Sequence, residues 1–254
     1  MAKETRVGIE FRDTMAHYLA SLVDKRDFAG AVKYYENNRD ALEAAGGKWA
    51  GSVLHHVAKA YVSLADYPTA LRIARLAQNK AVEDGDSILL AEIFVTLART
   101  LRSLGELKET EKALRDAESI FRRNDCLEGQ ARVLNLLAGQ FYRQYEFKNA
   151  LSSLMDAIEI TRRLGDRVKL AFMMGNIGRI HTFIGNFDSA ENHLKLNIEL
   201  SGELGDWLEV TRAKIALGYV YLRRGEYERA AETLEAAYSG TVEFDSPRDE
   251  AICL

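Results

Sequence analysis

Small and large apolar residues alternate along this chain in a pattern that recurs. An aromatic residue or leucine stands at Phe28, Tyr67, Leu107, Phe147, Phe187 and Tyr227. Three residues after each comes a small residue: Ala31, Ala70, Thr110, Ala150, Ala190 and Ala230. Four positions further lies an apolar or small residue, from Tyr35 and Ala74 to Leu114, Leu154, Leu194 and Leu234. The small residues are spaced by 39 and then four times by 40. Twelve positions upstream a second small residue recurs as Ala58, Ala98, Ala138, Gly178 and Gly218, with Leu19 in the first unit. Three residues later a bulky side chain follows at Tyr61, Leu101, Phe141 and Tyr221, and His181 takes that place in the fifth unit. Offsets of three and four are those of one helical face. Two helices pack closely only where one offers a small residue to the other's side chain. Each unit is therefore expected to be a pair of helices, each of roughly 14–18 residues.

Punctuation agrees with that division. Gly105, Gly185 and Gly225 stand just before the second helix of their units, where glycine suits the left-handed C′ position. Between units stand Gly85-Asp86, Gly165-Asp166 and Gly205-Asp206, the glycine ending one helix and the aspartate capping the next. Only two prolines occur, Pro68 and Pro247, as expected of a mostly helical chain.

The period and its small-residue and aromatic signature resemble the tetratricopeptide repeat. The resemblance spans approximately residues 12–46, 51–85, 91–125, 131–165, 171–205 and 211–240, with a truncated seventh repeat over 246–254. The common unit is about 34 residues and ends near a proline, whereas this one runs to 40 without it. In that respect it is similar to the long repeats of spindle-orientation adaptors, kinesin light chains, bacterial peptide-pheromone receptors and MalT-like regulators. The implied fold is all-α: one right-handed α-α superhelix, or solenoid, of six helix pairs and the start of a seventh. The terminal segment supports further repeats in a parent protein. Asp245 or Ser246 would cap a new helix with Pro247 in its first turn, and Ala251, Ile252 and Leu254 offer apolar surface where a polar cap is expected.

Composition narrows the chemistry. The chain is 47% hydrophobic and 28% charged with a net charge of −4, which gives no global reason to expect nucleic acid binding. No apolar run approaches the roughly 20 residues of a membrane span. Cys126 and Cys253 are too few and too far apart in sequence to suggest a disulfide framework. A cytoplasmic setting is the simplest expectation. Gly46-Gly47-Lys48 lacks the rest of a phosphate loop, and Gly175-Asn176-Ile177-Gly178 is half of a dinucleotide fingerprint with no strand before it. None of the five histidines pairs at i, i+4, and no nucleophile and base can be nominated. No enzyme activity, cofactor or metal is expected.

The family resemblance implies that the first helix of each unit lines a concave surface. Its candidate contact residues are Lys59 in the second unit, and Arg99 and Arg102 in the third. Arg132, Asn135, Tyr142 and Arg143 follow in the fourth; Phe172, Asn176, Arg179 and Phe183 in the fifth; Arg212, Tyr219 and Arg223 in the sixth. His55, Ser63, Glu92, Val95, Gly139 and Leu222 share the same face in this register. The set contains eight Lys or Arg against one acidic residue, Glu92, so a partner of opposite charge is favoured. Arginine suits forked contact with carboxylates, asparagine can bond a peptide backbone, and aromatic residues anchor interfaces. The expected function is a non-catalytic protein-interaction module binding an acidic peptide or protein segment, with self-association through the solenoid ends as a further expectation. The alternative is a sensory or oligomerisation domain of a larger bacterial signalling or transcription-regulatory protein, MalT-like or enhancer-binding.

Overall fold

The computed structural model describes residue 15, residues 17–44 and residues 48–243. The expected seventh-repeat segment, 246–254, and the first residues of the 12–46 repeat lie outside the described residues. Helix α1 is described over residues 17–24. It is followed by α2 (Phe28–Asn37), α3 (Arg39–Ala44), α4 (Lys48–Ser63), α5 (Tyr67–Glu83), α6 (Ser87–Ser103), α7 (Leu107–Arg123), α8 (Leu127–Arg143), α9 (Phe147–Leu164), α10 (Arg167–Phe183), α11 (Phe187–Glu203), α12 (Trp207–Arg224) and α13 (Tyr227–Glu243). No strand occurs among the described residues.

Helix lengths from α4 onward match the sequence expectation, but the second helix of the first unit is interrupted. Asn38 ends α2: its amide nitrogen donates to the Tyr34 carbonyl at 2.8 Å and its backbone N–H to the Tyr35 carbonyl. An asparagine side chain that competes for helix carbonyls breaks the ladder, and the chain restarts at Arg39 as α3.

The joints recur at half the repeat length. Residues 65, 85, 105, 125, 145, 165, 185, 205 and 225 all have positive φ. Six of these are the glycines of the expected punctuation, whereas Ala65, Asp125 and Tyr145 hold the same conformation at a steric cost. At each joint the next residue's N–H reaches back to a carbonyl of the preceding helix, as in Asp86 to Ala81 at 3.0 Å and Glu106 to Leu101 at 2.9 Å. Where that residue is Asp or Asn its side chain then caps the following helix, whereas Glu106 and Glu146 make no such bond. Asp86 accepts from the Leu89 N–H at 2.9 Å, Asp166 from Lys169 at 3.0 Å and Asp206 from Glu209 at 3.1 Å. A two-residue joint thus ends one helix and starts the next.

The small residues mark the closest helix approaches. Ala31, Ala70, Thr110, Ala150, Ala190 and Ala230 are all buried, as are Ala58, Ala98 and Ala138. A Cβ placed on Gly178 would lie 2.6 Å from Leu194 Cγ, and one on Gly218 would lie 2.7 Å from Leu234 Cγ, so neither place has room for a side chain.

Two compact units divide the chain, one through Gly129 and the other from Gln130 onward. In the first, Leu19, Tyr35, Leu54, Ile73 and Ile93 belong to one continuous core. In the second, Ala190, Leu194, Leu217, Val220 and Tyr221 form a core where α11, α12 and α13 meet. A salt-bridged hub on the same helices fixes them further. Glu191 of α11 accepts from Arg224 of α12 at 2.6 Å, from Arg229 of α13 at 2.9 Å and from Tyr221 at 3.0 Å. Burial raises the pKa of the Glu191 carboxyl, but hydrogen bonds from Lys195, Tyr221 and Arg229 outweigh it and bring it down to about 2.

Candidate docking site

In the second unit, residues of three first helices, α8, α10 and α12, come together around two cavities. The joints set the direction of each helix, and the packed small residues set its rotation, so side chains 40 residues apart face the same way. The smaller cavity, of about 100 Å3, is lined by Ala138, Gly139, Tyr142, Leu154, Asn176, Arg179 and Ile180. The larger, of about 310 Å3, lies against Arg132, Asn135, Val168, Lys169, Phe172 and Ser201, and Asp206 and Glu209 also border it.

Six of the candidates read from sequence therefore line these cavities: Arg132, Asn135, Tyr142, Phe172, Asn176 and Arg179. The two asparagines are not independent. The Asn176 amide nitrogen donates to the Asn135 side-chain oxygen at 2.9 Å, and the Arg179 guanidinium donates to the Asn176 oxygen. This row fixes both amides and leaves the Asn135 NH2 group as a donor without a partner among the described residues. Arg179 is exposed to solvent, yet neighbouring protein crowds its guanidinium. That crowding pulls its pKa below the usual arginine value, opposed by Glu209 and Tyr142 and reinforced by Arg212. The guanidinium nonetheless remains charged at neutral pH.

The remaining candidates are placed more loosely. Phe183 is exposed and joins Tyr142 at 5.8 Å between ring centroids, within a cluster completed by Tyr145 and Phe147. Arg143 and Arg212 are exposed. Arg223 stands 5.8 Å from the centroids of both Tyr219 and Phe187. In the first unit Lys59 is half-buried on α4, and α6 carries Arg99, exposed, and Arg102, half-buried. Two register assignments need correction. His55 is only 7% exposed and shares a 2.9 Å hydrogen bond with the Thr96 hydroxyl, and Val95 is buried. Both face neighbouring helices, because a helix with partners on several sides buries more than one stripe.

Sequence reading missed two features. Tyr145 is 69% exposed and occupies the joint position that glycine holds at 105, 185 and 225. The second is Glu209, 8% exposed, which adds a carboxylate to a surface expected to be almost wholly basic. Among the described residues no three His, Cys, Asp or Glu side chains come together to hold a metal ion. No helix there is long and apolar enough to cross a membrane.

Paired antiparallel helices joined by recurring two-residue joints, with small residues at each close approach, define a tetratricopeptide-like helical-repeat protein. The family model described as "26S proteasome subunit RPN7" matches residues 100–252, more than half of the sequence, and the chain belongs to that family. The chain is also 24% identical over 110 residues to response regulator aspartate phosphatase J of Bacillus subtilis, a match covering 43% of this chain and 29% of that protein. The chain thus spans less than a third of the length of that curated relative. Among solved structures, it superposes on a STAND signal-transduction ATPase with a tetratricopeptide repeat sensor from Pyrococcus horikoshii with a TM-score of 0.76. Identity there is 18%, and the match covers all of this chain and 37% of that one. A Rap protein complexed with competence and sporulation factor gives a TM-score of 0.69 at 15% identity, covering 93% of this chain and 78% of the other.

Proposed function

We propose that this chain is a non-catalytic interaction module that docks an extended peptide segment carrying acidic side chains across α8, α10 and α12. The row Arg179–Asn176–Asn135 at the mouths of two cavities carries this reading. It offers a guanidinium for carboxylates and a fixed amide donor for a peptide carbonyl. Arg132 and Arg212 extend the positive charge along neighbouring helices, and Tyr142 and Phe172 add apolar contact. The likeness to a Rap protein bound to competence and sporulation factor supports a peptide as the ligand class.

The test is a random linear peptide library screened on the wild-type protein and on the triple variant Arg132→Glu, Arg179→Glu, Arg212→Glu. The wild type is expected to enrich peptides containing Asp or Glu, and the triple variant to lose them while its helical circular dichroism stays unchanged. Equal enrichment by both proteins would move the binding surface elsewhere. A second reading, a sensory part of a larger regulator, is supported by the likeness to a protein whose repeats form a sensor. In that case the same face would read the ligand and pass the signal to another domain.

A further inference from the structure

The smaller cavity opens where a side chain is missing. Residue 139 of α8 stands in register with Ala20, Lys59, Arg99, Arg179 and Tyr219 of the other first helices, so most of its siblings are long. Glycine weakens a helix interior relative to alanine, and close packing is a common reason for keeping it there. That reason holds for Gly175, Gly178 and Gly218 of α10 and α12, where an added Cβ would lie 2.5, 2.6 and 2.7 Å from a neighbouring side chain. It does not hold for Gly139, which is exposed and where an added Cβ would meet no neighbouring atom within 4 Å. What Gly139 lines instead is the cavity of about 100 Å3.

The walls of that cavity are mostly hydrocarbon. Ala138 and the Tyr142 ring come from α8, Leu154 from α9 and Ile180 from α10. Edge-on contacts with Phe147 and Phe183, at 5.9 and 5.8 Å between ring centroids, brace the Tyr142 ring and fix that wall. Asn176 and Arg179 add polar groups, and these bond along their own row: Asn176 donates to Asn135 and accepts from Arg179. With those groups engaged in one another, the walls favour an apolar occupant. Size narrows it further. An apolar cavity of about 150 Å3 holds a benzene ring, so one of about 100 Å3 matches the side chain of leucine, isoleucine or valine.

Resting on the docking reading above, we infer that this cavity takes an aliphatic side chain of the bound segment, and that Gly139 sets the size it accepts. The Asn135 NH2 group at the end of the row bonds a main-chain carbonyl of the same segment, so the amide row fixes the backbone and the cavity selects one side chain. The ligand class is thereby narrowed from an acidic peptide to one that carries Leu, Ile or Val near its acidic residue. A long side chain at residue 139, as most sibling repeats carry, would occupy the same space and remove the selection.

The experiment screens a random linear peptide library on the wild-type protein, Gly139→Ala and Gly139→Leu. Because an added Cβ meets open space, both variants are expected to keep the wild-type circular dichroism and to melt no lower. The wild type is expected to enrich peptides with Leu, Ile or Val at a fixed distance from Asp or Glu. Gly139→Leu is expected to keep the acidic preference and lose the aliphatic one, and Gly139→Ala to shift the aliphatic preference toward shorter side chains. If Gly139→Leu melts lower, the shift in Gly139→Ala decides. Acidic enrichment with no aliphatic preference by the wild type, or an aliphatic preference unchanged in both variants, would overturn this inference and leave the docking reading standing. No enrichment by any of the proteins would remove both. A selected leucine peptide and its alanine analogue then complete a cycle with Gly139→Leu. Each single change should weaken binding about tenfold, and the double change little further, as expected when both act on one apolar contact. Additive losses would show that residue 139 and the leucine do not meet.

Discussion

His181 shows how a single substitution in a repeat changes the physics of its site. Its counterparts Tyr61, Phe141 and Tyr221 are buried bulky rings. His181 stacks on His193 at 5.6 Å between ring centroids, and its Nδ1 atom is shut from water with no hydrogen-bond partner among the described residues. Burial first, and the His193 charge second, push its pKa below the ordinary imidazole value of 6.5. The unfolded chain therefore takes up a proton more readily than the folded one. Stability contributed by the neutral ring is complete above pH 6.5 and declines as the pH falls below it. His181→Phe, which copies Phe141, should raise stability by about 1 kcal/mol by removing an unsatisfied buried nitrogen. It should also flatten the loss of Tm between neutral pH and pH 5.5. Thermal melts of both proteins across that range check the sign, and a steeper loss in the variant would place the titrating group elsewhere. Tyr145 makes a similar point about the backbone: a tyrosine in a position most of its siblings give to glycine is held at φ 62° beside the rings of Phe147 and Phe183.

At the scale of helices, the α11–α12 junction carries a buried polar chain from Ser201 through Asn197 to Glu209. Copying Ala77, Ala81 and Leu89 of the α5–α6 junction with Asn197→Ala, Ser201→Ala and Glu209→Leu replaces a buried polar chain by apolar contact. The combined variant is expected to melt higher than the wild type. A lower Tm would mean that the polar chain is a net stabiliser of the junction. The joints, by contrast, follow local chemistry alone. Glycine supplies the left-handed turn and the aspartate after it accepts the first free N–H groups, so helix ends were legible residue by residue. The break at Asn38 was not legible, because Asn197 and Asn176 lie well inside helices and the residue type does not by itself announce an interruption.

For the molecule as a whole, stability in a repeat array is a sum of unit and nearest-neighbour terms. A local fault should therefore stay local. Gly178→Leu places a side chain into Leu194 and should cost about 1–3 kcal/mol or more. Hydrogen exchange is expected to speed up in α10 and α11 while α4 to α6 keep their protection. Uniform acceleration along the chain would indicate one cooperative unit instead. The sequence by itself determined the helix pairs, their joints and the small residues at their contacts, because these follow from spacing along one chain and from local capping. Only the tertiary structure decided which polar groups meet. Asn135 finds Asn176 from a helix 41 residues away, and Glu209 comes to border a cavity with Arg132. That Asn197 stands where four other repeats carry Ala77, Ala117, Ala157 and Ala237 was visible in the aligned sequence, but its meaning was not. Whether a side chain at such a place is buried, paired or turned toward a cavity depends on the rotation and separation of helices that are neighbours in space and not in sequence.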